Sequence, residues 1–438
     1  MPALQPELVA QHTAKIRRLF PVLVIVVLLV VGVPTFLRMP VWCDITLYDL
    51  AARNLLRGGV HYRDLFDTNT PGYVWLLTVV RSLVGWSSEA LRSVDLLFFA
   101  GTVLVLARLA RRGGASGLNR LWLAAGCVGF YLFTGEQVHA QRDVWLALPA
   151  LLAVAERLKR VTEPRPDVFR PAFVEGLLWA AAVWIKPHFL LVAAAVWLLT
   201  TRRLAGGQPR PWRAAALDLL GNLTAGSLLG AAGVGYLSLT GTWPHFVDVM
   251  TVWNVGYMEA TFGTLDWRLD NCLGWFPPWT FLLPPTVALS VLSLLDARVW
   301  SGRFRPPEAG GLFDGVIPRR LWHRGGTDQE RYTRAVLGGV YLVWAAQSLF
   351  LQRAFEYAHA VEVMLMLAVW ASHRWNLAAV VFAWLVAVEL AWAMAPGPLI
   401  TAINSGTAEG RLVQKGSPHT RRSTPAAPAG GPTASARW

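Results

Sequence analysis

The chain has 438 residues, of which 54% are hydrophobic and 15% are charged, whereas a soluble protein of this length carries about 25% charged residues. This composition excludes an ordinary soluble domain and indicates helices solvated by a bilayer. The net charge of +13 does not indicate nucleic-acid binding, because the arginines lie in short gaps between apolar runs, where the positive-inside rule predicts them. The three cysteines, Cys43, Cys127 and Cys272, form no CxxC pair, so the sequence predicts no metal site, and nothing in it calls for a cofactor.

Apolar runs that predict membrane-spanning helices recur along the chain. They lie at 20–37, 90–109, 120–134, 144–157, 172–185, 187–201, 215–239, 277–295, 335–351, 357–371 and 377–395. The predicted fold is therefore all-α, a polytopic membrane helix bundle of about 11 spans within a domain of residues 1–395. The remaining 396–438 are rich in Pro, Ala, Gly, Ser and Thr, a composition that predicts a disordered C-terminal tail.

Charged residues assign the gaps between these runs to the two sides of the membrane. Three basic residues before the first run place the N-terminus in the cytoplasm, and the arginine-rich gaps, including 296–334, then fall on that side. The apolar run 71–86 would invert every later loop if it crossed, so we predict that it packs in the outer leaflet or against the bundle. The predicted outer face holds Asp44, Asp143, Lys186 and Arg353, and the inner face holds Arg111, Arg160, Arg203 and Arg320.

The first outer loop begins with a predicted amphipathic helix along the membrane surface. Tyr48, Ala52 and Leu55 recur at helical spacing, and Gly58 with Gly59 can end the helix in a left-handed conformation. Asp44 stands at the start of this helix. It is either an N-terminal helix cap or a general base that takes a proton from an acceptor hydroxyl.

The same loop continues with Tyr62-Arg63-Asp64 and then enters the run 71–86 through Thr70 and Pro71. Thr70 is predicted to cap the helix that follows, with Pro71 in its first turn. An ordinary polar loop is the simpler interpretation of this stretch.

The features of this loop together resemble the first loop of GT-C glycosyltransferases, a superfamily that includes protein O-mannosyltransferases and aminoarabinose transferases. The resemblance is carried by Asp44 after the first span, the amphipathic helix ending in glycine, Tyr62-x-Asp64, the Pro71 entry, Gly85 and Arg92. It implies polyprenyl-phosphate sugar donors, chemistry on the extracytoplasmic face, and Asp44 as catalytic base. Two departures are Ile45, where many members have a second acid, and Asn69-Thr70-Pro71, where several have Lys-Pro-Pro.

Three further polar clusters lie at the predicted outer mouths of spans. Arg142 and Asp143 match a Gln-Arg-acid element of the bacterial relatives, which implies that Asp143 is a second catalytic acid. Arg142 either holds phosphate or pairs with Asp143. Lys186-Pro187, followed by His188, is similar to a Lys-Pro element of the relatives, which implies a contact with the lipid phosphate. The alternative is a lysine that snorkels to the interface.

The last cluster, Gln352 to His359, resembles a Gln-x-Lys-x-x-x-Tyr-His element in which Arg353 takes the place of lysine. It implies that Arg353 binds the donor phosphate, with Tyr357 and His359 as hydrogen-bond partners. The alternative is a tight hairpin with an Arg353–Glu356 pair. The candidate substrate-binding residues are thus Tyr48, Tyr62, Asp64, Arg142, Lys186, His188, Arg353, Tyr357 and His359.

The resulting prediction is a multi-pass glycosyltransferase of the inner (plasma) membrane with an extracytoplasmic active face. Its partners would be a polyprenyl-phosphate-linked sugar donor, an acceptor glycan, lipid or protein, and membrane lipids, with no nucleic acid. The alternatives are a transporter or lipid flippase, and a non-catalytic GT-C-like membrane protein. Because Cys43 and Cys272 fall on the same predicted outer side, where oxidation is possible, a disulfide that ties the first loop to the loop 240–275 is predicted, the alternative being a buried, unpaired Cys43.

Overall fold

The structure, a computed structural model, describes residues 6–163, 166–206, 208–296, 327–353 and 355–373. The predicted span 377–395, the predicted tail 396–438 and Arg320 lie outside the described residues. Within the described ranges the regular elements are helical, apart from one isolated bridge between His61 and Leu65. The predicted all-α class is confirmed for this part of the chain.

The helices in chain order are α1 (Pro6–Arg38), α2 (Cys43–Leu56), α3 (Gly72–Val84), α4 (Ser88–Arg112), α5 (Gly117–Phe133), α6 (Arg142–Thr162), α7 (Phe169–Ile185), α8 (Phe189–Gly206), α9 (Pro211–Leu239), α10 (Trp243–Asp248), α11 (Asn254–Thr261), α12 (Leu265–Gly274), α13 (Leu283–Leu295), α14 (Asp328–Leu351) and α15 (Glu356–Ser372). A π-helical turn, Val249–Trp253, joins α10 to α11, and a 3-10 turn, Trp279–Leu282, precedes α13.

Five of the described helices are long and apolar enough to cross a membrane, or six if one bent pair forms a single span. They are Leu19–Arg38, Ser88–Arg112, Phe189–Gly206, Pro211–Leu239 and Asp328–Leu351. Helices α5, α7 and α15 have 17 residues each, fewer than the roughly 20 that a perpendicular span needs. The total of about 11 spans therefore stays a prediction.

Apolar side chains on the outer helices face away from the protein. Val30 of α1 is 68% exposed, Leu97 of α4 70% and Leu198 of α8 69%. Large apolar surfaces of this kind are unfavourable in water and favourable in lipid. They support the membrane character that the composition predicts.

A sharp bend precedes the predicted span 277–295. Helix α12 and the segment Trp279–Leu295 meet at an angle of 114°, so the two form either a broken span or a re-entrant loop, and the predicted run coincides with the second arm. Prolines account for the bend, because proline lacks an amide hydrogen and fits only the first turn of a helix. Pro277 and Pro278 precede the 3-10 turn, and Pro284 lies in the first turn of α13.

Helix α15 forms the centre of the described bundle. Every residue from Tyr357 to Ser372 is buried, and the helix packs against α4, α5, α6, α13 and α14. Its apolar side chains therefore contact protein instead of lipid. A short helix is compatible with this position, because its ends are covered by neighbouring helices.

The first outer loop packs α2 against α3. Tyr48 and Ala52 lie on the buried face of α2, as their spacing predicts, and Gly58 ends the helix with a positive φ of 80°. Arg81, the charge in the middle of the apolar run, makes a two-pronged ion pair with Asp49 of α2. At about 1.5 Å per residue the 13 residues of α3 extend about 20 Å, less than the roughly 30 Å hydrocarbon core. The length supports a helix that packs on the bundle without crossing.

The entry to α3 differs from the predicted capping by Thr70. Pro71 occupies the N-cap position, and the Thr70 hydroxyl donates to the backbone oxygen of Ile185, 2.9 Å away. Gly72 lies so close to the end of α7 that an added Cβ would stand 2.4 Å from the Trp184 backbone oxygen. The loop is therefore fastened to the end of α7.

We expect Gly72→Ala to lower the thermal stability of the purified protein, because the new methyl group would push against backbone that cannot rotate away. Overpacking of this kind costs about 1–3 kcal/mol. Gly226→Ala on α9 is the matched control, since no atom lies within 4 Å of its added Cβ and alanine favours helix. Equal melting temperatures for the two variants would contradict the close contact.

Two arginines and two acids form a buried ion-pair cluster near the C-terminal end of α6. Arg157 donates to Asp218 at 2.6 Å, and Arg160 donates to the other oxygen of Asp218 at 2.7 Å. Glu175 of α7 forms a further ion pair with Arg160, and Arg157 also donates a hydrogen bond to the Thr200 hydroxyl of α8. The sequence places Arg160 in a cytoplasmic gap, but its side chain is only 4% exposed, because the cluster links α6 to α7, α8 and α9.

The residues of the predicted outer clusters and those of the basic gaps lie at opposite ends of α6 and α14. Asp143 at the start of α6 and Gln352 after α14 both contact Lys186. At the other end, Arg203 lies over the ring of Tyr332 at the start of α14. Asp143 and Lys186 thus lie at one end of these helices and Arg203 at the other, and the side of the membrane that each end faces stays a prediction.

Candidate active site

Asp44 lies in the first turn of α2 without capping it. The N-cap residue is Trp42, and no side chain caps the helix. The Asp44 carboxylate accepts a weak contact from the Cys43 thiol at 3.8 Å. Partial burial raises the pKa of Asp44 above its ordinary value, against the opposing effects of Arg142 and Gln141 beside it. A half-buried carboxylate that is not used as a cap is free to take part in chemistry.

The residues facing Asp44 come from the start of α6, and a strained turn sets their position. Ala140, just before the helix, has a positive φ of 57°, a conformation that alanine rarely adopts. Its amide donates to Asp95 at 2.9 Å, and its carbonyl accepts from the Tyr73 hydroxyl. These two bonds hold the turn, so that Gln141, Arg142 and Asp143 follow it into the protein interior.

A chain of polar contacts runs from α6 through Lys186 to the end of α14. The Lys186 ammonium donates to Asp143 at 2.7 Å and to the side-chain oxygen of Gln352. Gln352 in turn donates to Gln347 at 2.7 Å. Lys186 is only 6% exposed, so it does not snorkel to the interface. Its burial lowers its pKa to about 8, with Asp143 acting in the opposite direction.

Arg142 lies among tyrosines instead of pairing with Asp143. Its guanidinium is 5.6 Å from the centre of the Tyr48 ring, and it also interacts electrostatically with Tyr357 of α15. Tyr357 also lies 5.8 Å from the Lys186 ammonium. Two cations, two tyrosine rings and the Asp44 carboxylate therefore converge at this end of the bundle.

The loop between α2 and α3 closes one side of this group. The Tyr62 hydroxyl donates to the Asn69 carbonyl at 2.6 Å, and the Asn69 amide donates to Tyr48 at 3.1 Å. Tyr62 itself has a positive φ of 67° and stacks on His61. The loop thus positions Tyr48 and Tyr62 through its own hydrogen bonds.

Two buried polar atoms of this site have no hydrogen-bond partner among the described residues. They are Nε of Arg142 and Oδ2 of Asp143. A buried polar group without a partner costs about 1–3 kcal/mol, so such groups are usually satisfied by a ligand or by water. These two atoms leave hydrogen-bonding capacity for a polar molecule at this end of the bundle.

Arg353 lies at the edge of this group, near enough to Tyr357 for an electrostatic interaction, but its direct contacts are elsewhere, and the predicted phosphate contact stays a prediction. Its guanidinium lies over the Tyr257 ring of α11 and donates to the Tyr257 carbonyl at 3.1 Å. The reason is local, because Gln352 has an extended backbone and successive side chains in extended chain point to opposite sides. Gln352 faces inward to Lys186, so Arg353 faces away. Among the contacts between described residues there is no Arg353–Glu356 ion pair, and Glu356 accepts from Gln137.

Three other predicted substrate-binding residues occupy different surroundings. Asp64 is exposed, and its Arg63 partner and the Val60 amide lower its pKa to about 2. His188 is half-buried beside Lys186, and burial together with that cation lowers its pKa to about 4. His359 contacts Glu362 and Cys272. Of these, only His188 borders the group around Asp143.

The predicted disulfide between Cys43 and Cys272 is wrong. Both sulfurs are free, as is that of Cys127. Cys43 is exposed beside Asp44, whereas the Cys272 sulfur is buried 3.7 Å from Nδ1 of His359. A shared side of the membrane does not by itself bring two cysteines to bonding distance.

Three residues of the site have no role in the sequence prediction. Gln141 and Gln352 belong to the predicted motifs, but an amide can donate or accept, so its role depends on its neighbours in the fold. Asp95 accepts from Tyr131, Trp145 and Ala140 and therefore holds the turn before α6. The signal for Asp95 was present, since an acid inside an apolar run is rarely placed without a partner.

No family model matches the chain, and neither the curated proteins nor the solved structures give a match. The resemblance of the first outer loop to GT-C enzymes stays a prediction, carried by Asp44, Tyr62, Pro71 and the residues around them.

Proposed function

We propose that this protein is a membrane glycosyltransferase that moves a sugar from a polyprenyl-phosphate donor to an acceptor hydroxyl. The reaction takes place at the end of the bundle that holds Asp44, and we assign that end to the extracytoplasmic side. The acceptor belongs to a glycan, a lipid or a protein.

One observation carries the proposal. The Asp44 carboxylate caps no helix and stands beside buried cations, and one polar atom each of Arg142 and Asp143 lacks a partner. Catalysis of sugar transfer needs a base for the acceptor and positive charge for a phosphate leaving group. Asp44 supplies the first requirement, and Arg142 with Lys186 supplies the second.

The chemistry follows from these positions. Asp44 takes the proton of the acceptor hydroxyl while the oxygen attacks the anomeric carbon of the donor. The bond between that carbon and the phosphate oxygen breaks, and the electron pair leaves with polyprenyl phosphate. Arg142 and Lys186 stabilise the charge of the departing phosphate. In this proposal Arg142 takes the role that the sequence assigned to Arg353.

The start of α6 adds to the phosphate site. The first turn of a helix carries free amide hydrogens and the positive end of the helix dipole, both of which favour an anion. Arg142 and Asp143 are the first two residues of this helix. Asp143 keeps Lys186 in place through their 2.7 Å contact, so it acts on the donor through that lysine.

The direct test is the purified protein in detergent or vesicles with a panel of polyprenyl-monophosphate sugars and extracts containing candidate acceptors. We expect release of polyprenyl phosphate together with transfer of the sugar, and mass spectrometry of the product identifies the acceptor class. Transport of the intact donor across vesicles without cleavage would overturn the proposal in favour of a flippase.

The rate of transfer should depend on pH through two groups. Below the raised pKa of Asp44 the carboxylate is protonated and cannot act as base, so the rate falls as the pH decreases through that value. Above about pH 8 Lys186 loses its proton and its attraction for phosphate, so the rate falls again. Initial rates across this range with a fixed donor measure both limbs.

Lys186→Arg provides the control for the alkaline limb. Arginine keeps its charge at every pH used in such assays, so the decline near pH 8 should disappear or move upward. A rate that keeps rising beyond about pH 9 in the unaltered protein would contradict the role of Lys186.

A further inference from the structure

Outside the site around Asp44, three side chains of different ligand types meet between α12 and α15. They are Cys272 on α12, and His359 and Glu362 one turn apart on α15. Nδ1 of His359 is 3.1 Å from the Glu362 carboxylate and 3.7 Å from the Cys272 sulfur. All three ligand atoms lie within 4.8 Å of one another.

These separations are close to those of a shared metal ion. Zinc binds sulfur at about 2.3 Å and nitrogen or oxygen at about 2.0–2.2 Å, so tetrahedral ligands stand roughly 3.3–3.6 Å apart. The histidine distances of 3.1 Å and 3.7 Å lie about 0.2 Å or less outside this range. All three ligand atoms lie within 4.8 Å of one another, so binding one ion requires a modest contraction of the cluster.

Burial and charge support the same assignment. His359 and Glu362 are each 1% exposed and Cys272 is 9% exposed. A buried carboxylate is unfavourable unless a positive charge compensates it. A thiolate and a carboxylate together carry two negative charges, which a divalent cation balances while the imidazole stays neutral.

We propose that Cys272, His359 and Glu362 bind one zinc ion that fastens α12 to α15. Thiolate, imidazole and carboxylate together suit zinc better than calcium or magnesium, which prefer oxygen ligands. With three protein ligands, the fourth position is left for water.

The position gives the ion a structural role. Arg268, also on α12, donates to the carbonyls of Leu349 and Gln352 at the end of α14. The zinc ion adds a second attachment of α12 to the bundle. One of its ligands, His359, is two residues along α15 from Tyr357 of the candidate active site. The outer segment that contains α12 is thereby held against the bundle at two points.

Metal analysis of the purified full-length protein tests the proposal directly. After exchange into buffer with a weak chelator, we expect about one zinc ion per chain for the unaltered protein and at least a tenfold lower content for Cys272→Ser and Glu362→Gln. Cys127→Ser is the matched control, because Cys127 is also buried but stands outside the triad, and it should keep its zinc. Equal zinc contents in the unaltered protein and both triad variants would overturn the site.

A second measurement does not depend on the folding of triad variants. The chain has only three cysteines, so Cys43→Ser combined with Cys127→Ser leaves Cys272 as the sole thiol and the triad intact. Addition of Co²⁺ should then produce a thiolate-to-cobalt charge-transfer band that zinc abolishes. Absence of this band in the folded double variant would overturn the proposal and favour a buried His359–Glu362 ion pair. Neither measurement uses sugar transfer, so its failure leaves the proposed function untouched.

Discussion

Asp44→Asn should abolish sugar transfer while leaving the fold intact. The amide has the same shape as the carboxylate but cannot accept the acceptor proton, and loss of a general base lowers rates by about 10²–10⁴-fold. The fold should survive because Asp44 caps no helix and makes no ion pair in the described structure. Transfer with a saturating donor, and the melting temperature of the same preparation, are the two quantities to compare.

Asp64→Asn is the matched control for this experiment. Asp64 belongs to the same outer loop, but it is exposed and pairs with its neighbour Arg63. Transfer by this variant should remain close to that of the unaltered protein. Full transfer by Asp44→Asn would remove Asp44 from the mechanism and favour a transporter or a non-catalytic protein.

The second large effect concerns stability at the other end of the bundle. Asp218→Asn should destabilise the protein strongly, because Arg157 and Arg160 both donate to this carboxylate. Glu175 alone would then face two buried guanidinium groups. Removal of one partner from a buried ion cluster costs about 3–5 kcal/mol. Thermal unfolding in detergent, followed by loss of the monodisperse peak, measures the change.

Asp167→Asn serves as the comparison for that measurement. Asp167 pairs with Arg170, but their side chains are 49% and 89% exposed, and exposed pairs contribute at most about 1 kcal/mol. If the two variants melted at the same temperature, the buried cluster would contribute no more than a surface pair.

Hydropathy and charge together predict much of the helical organisation. The apolar runs within the described residues contain helices, and the left-handed end of α2 at Gly58 follows from the glycine pair. Length and composition do not distinguish lipid from protein as the surroundings of an apolar helix. For that reason α15, which is buried on all sides, and α1, with Val30 68% exposed, look alike in the sequence.

The candidate site can be predicted from the sequence for residues that lie at the ends of helices. Asp44 and Lys186 each lie beside the end of a helix at the same predicted face, so their proximity to Arg142 and Asp143 could be expected. The position of Arg353 could not, since the extended backbone at Gln352 turns it toward Tyr257. Which of two neighbouring loop side chains points inward is decided by tertiary contacts, and a local sequence pattern does not contain that information.

The buried position of α15 has a consequence for biosynthesis. A ribosome delivers the chain from its N-terminus, so α4, α5, α6 and α14 enter the membrane before the helix that they surround. The groove between them is filled only after synthesis has passed Ser372. Nascent chains that stop before Glu356 contain Asp44, Arg142 and Lys186 but lack Tyr357 and the helix against which the bundle closes.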